Sequence, residues 1–244
     1  MINSSKKIAL VTGANKGIGF EVARQIGRTG ATVLLGARNK LAGEKAAAVL
    51  AGEGLAAHFI AIDVADHDSV AAAAATITNE FGHLDILVNN AGISDPADGP
   101  APSARLDAVE RIMRTNFLGA LMVTQAMLPL LRDAQSARIV NVSSGLGSLT
   151  QNGDPGYSSA ATKLIGYSAS KVALNMLTVQ LAYLLRDTAI KVNSADPGYT
   201  ATDLNRHRGL QTIPEGAAEA VRLALLPDDG PTGTYSDNRG IVPW

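Results

Sequence analysis

Residues 8–19 read IALVTGANKGIG, an apolar run followed by a loop with glycines at positions 13, 17 and 19. A helical period begins at Ile18, so the loop joins a strand to a helix. Glycine permits a tight turn and a close backbone approach to a pyrophosphate, while the helix N-terminus supplies unpaired N–H groups. The spacing Gly-x-x-x-Gly-x-Gly departs from Gly-x-Gly-x-x-Gly, and a plain strand-to-helix turn is the alternative. The strand before the loop and the helix after it favour a phosphate-binding loop.

Outward from this loop, short β-branched runs alternate with longer stretches of helical period. Strands are predicted at 8–12, 32–35, 57–62, 86–88, 138–142, 190–193 and 233–235, and helices at 18–28, 40–51, 69–81, 106–130, 167–186 and 214–226. Such alternation is typical of βαβ units and of a parallel sheet buried on both faces. The sequence therefore predicts one α/β domain over residues 1–244, a Rossmann-type doubly wound sheet of seven mainly parallel strands with helices on both faces.

Three segments show no regular pattern, at 93–104, 145–166 and 196–213. Loops of this length in a compact domain are usually functional or disordered. Each follows the carboxyl end of a predicted strand, where open parallel sheets bind their ligands. We expect the site to be built from these loops.

Composition excludes several classes of function. The chain of 244 residues has no cysteine, which excludes disulfides, thiolate metal sites and a cysteine nucleophile and fits a cytoplasmic protein. Its 21 basic and 22 acidic residues give a net charge of −1, with no basic footprint for nucleic acid. Residues 1–7 are a short polar leader, and the apolar stretches are too short for a signal peptide or a spanning helix. The four histidines lack the spacing of metal ligands, so we predict no metal site. The near-neutral charge favours a small-molecule partner over a nucleic acid or a membrane.

The end of the second predicted strand indicates which dinucleotide would bind. An NAD site usually places an acid there for the ribose hydroxyls, but here the residues are Ala37, Arg38 and Asn39. A guanidinium suits a 2′-phosphate by charge and by bidentate geometry, and Lys16 in the glycine loop offers a second cation. Two solvated surface cations are the alternative interpretation. We expect NADP(H) as the cofactor.

The chain resembles the short-chain dehydrogenases/reductases, in their compact single-domain branch. The matching motifs occur in order along nearly the whole chain: Thr12-Gly13-x-x-x-Gly17-x-Gly19, Asn89-Asn90-Ala91-Gly92, Asn116, Asn141-Val142-Ser143-Ser144, Tyr167-Ser168-Ala169-Ser170-Lys171 and Pro197-Gly198. Each motif is weak alone. Their shared order leaves little room for chance.

The resemblance implies a role for each matching residue. Besides Arg38 at the 2′-phosphate, the cofactor-binding residues would be Gly13, Asn15, Lys16, Gly17, Ile18 and Gly19 in the glycine loop, Asp63 and Val64 at the adenine ring, Asn90, Ala91 and Gly92 beside the cofactor, and Pro197, Gly198, Thr200 and Thr202 at the nicotinamide carboxamide. The catalytic residues would be Asn116, Ser144, Tyr167 and Lys171, of which Tyr167 and Lys171 also contact the cofactor.

The four catalytic residue types suit carbonyl reduction. Tyrosine and lysine at i and i+4 lie on one helix face, where the ammonium should lower the phenol pKa. Tyr167 would deliver the proton as hydride reaches the carbonyl carbon, and Ser144 would hydrogen-bond the carbonyl oxygen. Lys171 would bind the nicotinamide ribose, and Asn116 would hold a water that refills the proton. Singly, each residue is more often a structural polar group.

Two tyrosines compete for the catalytic position. Tyr157 lies 13 residues after Ser144, the usual family spacing, whereas Tyr167 lies 23 after it. Position 161 is alanine, so Tyr157 lacks the lysine that Tyr167 has in Lys171. We choose Tyr167 and infer an insertion of about ten residues in the loop, which loops tolerate.

The lengthened loop resembles carbonyl-reductase-like members and favours a monomer or homodimer over a tetramer. Apolar wall candidates Ile93, Leu146, Leu149 and Tyr199 predict an uncharged, bulky carbonyl substrate or its alcohol. Arg206 and Arg208 are either solvated or steer an acidic group. A 3-oxoacyl-carrier-protein reductase and a non-catalytic NADPH-binding sensor are the alternative functions.

Overall fold

The computed structural model of the protein describes residues 6–244. Its strands are β1 (Ile8–Thr12), β2 (Thr32–Ala37), β3 (Ala57–Ala61), β4 (Ile86–Asn89), β5 (Arg138–Val142), β6 (Lys191–Ala195), β7 (Tyr235–Asp237) and β8 (Gly240–Ile241). Its α-helices are α1 (Gly17–Gly27), α2 (Lys40–Gly52), α3 (His67–Phe81), α4 (Leu106–Met113), α5 (Ala120–Asp133), α6 (Leu149–Gly153), α7 (Ile165–Leu184) and α8 (Ile213–Ala224).

All eight strands form one sheet in the order β3-β2-β1-β4-β5-β6-β7-β8. Neighbouring strands are parallel from β3 to β7, and only the pair β7 and β8 is antiparallel. The doubly wound fold is thus confirmed, but the predicted count of seven strands is wrong. The eighth has two residues and follows a turn in which the Asp237 carboxylate accepts the Arg239 and Gly240 N–H groups, too short a strand for a periodic pattern.

Apolar side chains fill both faces of the sheet, as alternation along β1 illustrates. Ala9 and Val11 belong to the core beneath α1, α2 and α8, whereas Ile8 and Leu10 belong to the opposite core beneath α3, α5 and α7. A parallel strand buried on both faces needs this continuous apolar run. Within residues 6–244, none of the helices is long and apolar enough to cross a bilayer.

A chain of buried polar side chains crosses the middle of the sheet. The Asn89 amide donates to Thr124 Oγ1 and to Asn141 Oδ1, each at 2.9 Å. The Asn141 amide then donates to Thr178 Oγ1 at 2.8 Å, and Thr178 Oγ1 lies 2.8 Å from Ser194 Oγ. Asn89, Asn141 and Ser194 stand at one level of β4, β5 and β6 because they are register partners.

Two predicted segments differ from the structure near the carboxyl ends of these strands. The helix predicted at 106–130 is interrupted by a π-helix, Arg114–Gly119, between α4 and α5. Segment 145–166, predicted to be irregular, contains a 3-10 turn (Gly145–Gly147) and α6, which starts where Ser148 Oγ accepts the Gln151 N–H at 3.1 Å. Both changes lie beside the predicted catalytic residues.

Candidate active site

The glycine loop is held against the end of β4 by Asn90. The Asn90 side-chain amide donates to the Thr12 carbonyl at 2.8 Å, and Thr12 Oγ1 accepts the backbone N–H groups of Asn90 and Ala91, each at 3.0 Å. Gly13 has φ of 65°, in the left-handed region that favours glycine. A Cβ on Gly19 would overlap the Asn90 amide, so the sequence allows the loop and the strand end to approach closely.

The start of α1 fits an anionic group. Among residues 6–244, no side chain accepts the first N–H groups of α1, which leaves these donors open to a phosphate. Lys16, expected to offer a second cation to the 2′-phosphate, forms an ion pair with Asp203 at 2.6 Å. Arg38 is exposed directly after β2, as a 2′-phosphate ligand there requires.

The remaining predicted cofactor residues line the same edge of the sheet. Asp63 Oδ1 accepts the Ala65 N–H at 3.0 Å, and Val64 is buried against Gly119 of the π-helix. After β6, Gly198 has φ of 66° and Thr200 Oγ1 donates to the Pro197 carbonyl at 2.9 Å. Thr202 faces the glycine loop, because a Cβ on Gly17 would lie 3.9 Å from its methyl group.

Asn116 and Lys171 converge on Gly92. A Cβ at Gly92 would lie 3.5 Å from Asn116 Oδ1 and 3.7 Å from Lys171 Nζ. The Asn116 side chain accepts the Ile93 N–H at 2.8 Å and donates to the Ile93 carbonyl and to Ser170 Oγ, each at 3.0 Å. The π-helix therefore places the buried Asn116 amide where it anchors the loop after β4. Such π-helical turns are frequent at functional sites.

The Tyr167 phenol lies beside the Ser144 side chain, which acts to lower the phenol pKa. Two elements place these groups together, because Ser144 lies two residues after β5 and Tyr167 lies in the first turn of α7. The Asp98 carboxylate fixes that turn by accepting the N–H groups of Gly166 and Tyr167, each at 2.9 Å. The Tyr167 phenol and the Ser144 hydroxyl thus lie close together at this edge of the sheet.

Burial sets the protonation of the Tyr167–Lys171 pair. Burial raises the pKa of Tyr167 to about 12, against the lowering effect of the nearby Ser144 hydroxyl. The predicted lowering of this pKa by Lys171 is therefore wrong for the structure. Burial likewise lowers the pKa of Lys171 to about 8, and its ammonium donates to the Val142 carbonyl at 2.7 Å, with Nζ 5.7 Å from the Tyr167 ring centre.

The turn that carries Ser144 is supported from both sides. Tyr235 of β7 donates its hydroxyl to the Ser144 carbonyl at 2.5 Å, and its ring stacks on Trp244 with ring centres 5.4 Å apart. On the other side, the Asn175 amide of α7 donates to the Gly147 carbonyl at 3.1 Å. The sequence prediction missed both supports, since neither residue belongs to a recognised motif.

Tyr157, the competing tyrosine, contacts the residue after Ser144. Its hydroxyl is against Gly145, where a Cβ would overlap it, and burial raises its pKa, with Asp196 acting in the same direction and Arg239 in the opposite one. The structure thus brings Tyr167 to Ser144 and Lys171, and Tyr157 to Gly145. A further residue of this region, the buried acid Asp196, was not singled out from the sequence, although an acid directly before Pro197 at a strand end is a visible signal.

Apolar side chains are exposed on the loops at this edge of the sheet. Leu149 and Tyr199, both predicted wall residues, are 67% and 52% exposed, and Leu210 in the segment after β6 is 91% exposed. Ser94 Oγ donates to the Leu204 carbonyl at 3.2 Å, so the loops after β4 and β6 meet across the site. Arg206 and Arg208 are exposed beside them.

Comparison with known proteins agrees with this geometry. A family model described as short chain dehydrogenase matches residues 7–212. Two curated relatives are 33% identical: carbonyl reductase (NADPH) 1 of Sus scrofa, with 100% of this chain and 96% of the relative covered, and (-)-isopiperitenone reductase of Mentha piperita, with 94% and 96% covered. A solved gluconate 5-dehydrogenase from Burkholderia cenocepacia, in complex with NADP and tartrate, has a TM-score of 0.83 at 29% identity and covers 95% of this chain and 92% of its own.

Proposed function

The chain belongs to the short-chain dehydrogenase/reductase family, and we propose that it is an NADPH-dependent carbonyl reductase that converts ketones or aldehydes to alcohols. The observation that carries the proposal is the arrangement of the Tyr167 phenol beside the Ser144 hydroxyl and the Lys171 ammonium, at the edge of the sheet that holds the glycine loop. The relatives named as a carbonyl reductase and an isopiperitenone reductase support the same direction of reaction.

NADP(H) is the proposed cofactor. The cradle fits a pyrophosphate because glycines leave the loop open and the first N–H groups of α1 are free of side-chain caps. Arg38 would pair with the 2′-phosphate. Lys16 would join it only after leaving Asp203, so the two anions compete for one ammonium.

Bound NADPH supplies the hydride that reduces the carbonyl carbon. Tyr167 is the general acid, and its raised pKa keeps the phenol protonated at neutral pH, as a proton donor must be. The proton passes to the carbonyl oxygen and leaves a phenolate on Tyr167. The Ser144 hydroxyl donates to the same oxygen and stabilises the charge that develops there.

Lys171 restores the proton in this proposal. Its pKa of about 8 lies close to neutral, so the buried ammonium releases and regains a proton easily. Asn116 lies beside it over Gly92 and would hold the water that connects Lys171 with solvent. The substrate would be uncharged and bulky, because exposed leucine and tyrosine side chains lie on the loops at this edge of the sheet.

The proposal is tested with NADPH and a panel of ketones and aldehydes, by the loss of cofactor absorbance. Tyr167→Phe should lower kcat/KM by about a hundredfold or more, the contribution of a general acid, while NADPH still binds. Tyr157→Phe is the matched control and should change kcat/KM only a few-fold. Turnover unchanged by Tyr167→Phe, or abolished by Tyr157→Phe alone, would contradict the assignment.

Cofactor selection has a separate test. Arg38→Asp should weaken NADPH relative to NADH by roughly tenfold or more, the equivalent of one charge-assisted hydrogen bond. Binding is measured by the fluorescence of the reduced cofactor, so the test needs no substrate. An unchanged NADPH-to-NADH ratio would refute the phosphate assignment.

A further inference from the structure

Asp196 is a buried carboxylate at the end of β6, with 9% of its surface exposed. Its backbone N–H donates to the Ser236 carbonyl of β7 at 2.8 Å, which fixes the residue in the sheet. Its Oδ1 accepts the Gly198 N–H at 2.8 Å, and its Oδ2 packs against Gly145. One side chain therefore joins the loop after β6 to the loop after β5.

A glycine makes this bridge possible. A Cβ on Gly145 would lie 3.1 Å from Asp196 Oδ2 and would overlap the Tyr157 hydroxyl. Gly145 follows Ser144 directly, so the carboxylate reaches the backbone of the residue next to the hydroxyl that contacts Tyr167. The bridge joins the Ser144 turn to Pro197 and Gly198, the segment expected beside the nicotinamide.

The charged and titratable groups around Asp196 define its electrostatic role. They are Tyr157, Tyr167, Lys171, Tyr235, Asp237 and Arg239. Burial raises the pKa of Asp196, and its two backbone N–H donors and Arg239 act in the opposite direction. Asp196 in turn raises the pKa of Tyr167, in the same sense as burial, and raises that of Lys171, against burial. A negative charge favours ammonium over amine and phenol over phenolate.

We propose that Asp196 is a positioning residue of the active site, whose buried carboxylate holds the Ser144 turn against the Pro197–Gly198 segment. The inference rests on the proposed carbonyl reduction, in which Tyr167 gives a proton and Ser144 meets the carbonyl oxygen. The charge of the same carboxylate favours the protonated phenol that this reaction needs.

Two substitutions separate the charge from the bridge. Asp196→Asn keeps the shape and removes the charge, whereas Asp196→Glu keeps the charge and alters the reach. Asp237→Asn is the matched control, since it removes a neighbouring acid that faces Asp196 and Tyr157 rather than Tyr167. Thermal melting of each variant establishes that it is folded.

The first readout is the titration of Tyr167, followed by the carbon-13 shift of its Cζ and assigned with Tyr167→Phe. In Asp196→Asn the midpoint should fall by roughly one unit, which is tenfold more phenolate at any pH below both midpoints. Asp196→Glu and Asp237→Asn should leave it close to the wild-type midpoint. A midpoint that is unchanged or higher in Asp196→Asn would overturn the electrostatic role, and this readout needs no turnover.

The second readout is the pH dependence of kcat/KM for reduction. Its alkaline limb should move to lower pH in Asp196→Asn by the same amount, whereas Asp196→Glu should lower kcat at all pH values with the limb in place. If kcat/KM is unchanged at every pH in both variants, Asp196 is not a positioning residue. Should the wild-type protein reduce no carbonyl compound, the proposed function fails, while the Tyr167 titration still tests the effect of Asp196.

Discussion

Replacing Tyr235 by phenylalanine tests how the Ser144 turn is held. The ring of Tyr235 is 1% exposed and its hydroxyl donates to the Ser144 carbonyl at 2.5 Å. Burial raises the pKa of this phenol far above its ordinary value, so it stays a donor at every working pH. Tyr235→Phe removes one oxygen atom and leaves the stacking on Trp244 in place.

The expected loss of stability in Tyr235→Phe depends on which hydrogen-bond donors the Ser144 carbonyl keeps. A hydrogen bond between neutral groups contributes about 0.5–1.5 kcal/mol net. The Ser144 carbonyl keeps a second donor, the Gly147 N–H at 2.7 Å, and so is not left unpaired. We therefore expect a loss of about 1 kcal/mol in the free energy of unfolding, or about 2–4 °C in Tm for a chain of this length. Because the Ser144 hydroxyl must meet the carbonyl oxygen, kcat/KM should fall roughly tenfold.

The assay compares Tm and kcat/KM for carbonyl reduction in three proteins. Tyr183→Phe is the matched control, because that side chain is 66% exposed and should change neither quantity. NADPH affinity should be the same in all three. If Tyr235→Phe melts and reacts like Tyr183→Phe, the hydroxyl does not hold the Ser144 turn and the reasoning fails.

Three further substitutions test the glycine loop, the core and the buried lysine. Gly19→Ala places a Cβ against the Asn90 amide and should weaken NADPH binding roughly tenfold or more in a fluorescence titration, whereas Gly52→Ala, in open space, should not. Arg138→Met removes the donors to the Leu226 and Ala137 carbonyls and should lower stability by about 2 kcal/mol or more in urea unfolding; an unchanged midpoint would contradict this. Lys171→Met should inactivate the enzyme yet raise stability at pH 7 by about 1–3 kcal/mol, because burial lowers the lysine pKa and the folded state disfavours its ammonium. Between about pH 8 and 10.5 the lysine is protonated in the unfolded chain and neutral in the folded protein, so wild-type stability rises with pH in this window. The stability gained by Lys171→Met should therefore shrink as the pH rises through it, and a constant gain would refute the explanation.

Local patterns predicted the parts of the fold that depend on neighbours in sequence. The first and fifth strands have the predicted bounds, because a buried parallel strand needs an unbroken apolar run. The glycine loop and Asn90 lie together as the motif order implied. Tyr167 was chosen over Tyr157 because Lys171 follows it by four residues, although the loop length favoured Tyr157. The structure places Tyr167 beside Ser144.

Features that depend on three-dimensional contact were not predictable in this way. The π-helix around Asn116 preserves the apolar period on either side and so looks like one continuous helix in sequence. Lys16 was expected to offer a second cation to the 2′-phosphate, and its ion pair with Asp203 could not be foreseen because the two residues are 187 positions apart along the chain. The pKa of Tyr167 was expected to fall because the spacing of four residues indicates a nearby Lys171 ammonium. The same spacing gives no sign of how deeply the phenol is buried, and burial raises its pKa.

The polar chain from Asn89 through Asn141 to Ser194 bears on how the strands find their alignment during folding. A slip of two residues between parallel strands keeps every side chain on its original face, so apolar contacts alone discriminate poorly against it. After such a slip the Asn89 amide would lose Asn141, and the Asn141 amide would lose the Thr178–Ser194 pair. Each unpaired buried amide would cost about 1–3 kcal/mol. The centre of the sheet thereby penalises misaligned pairings that a purely apolar interior would accept.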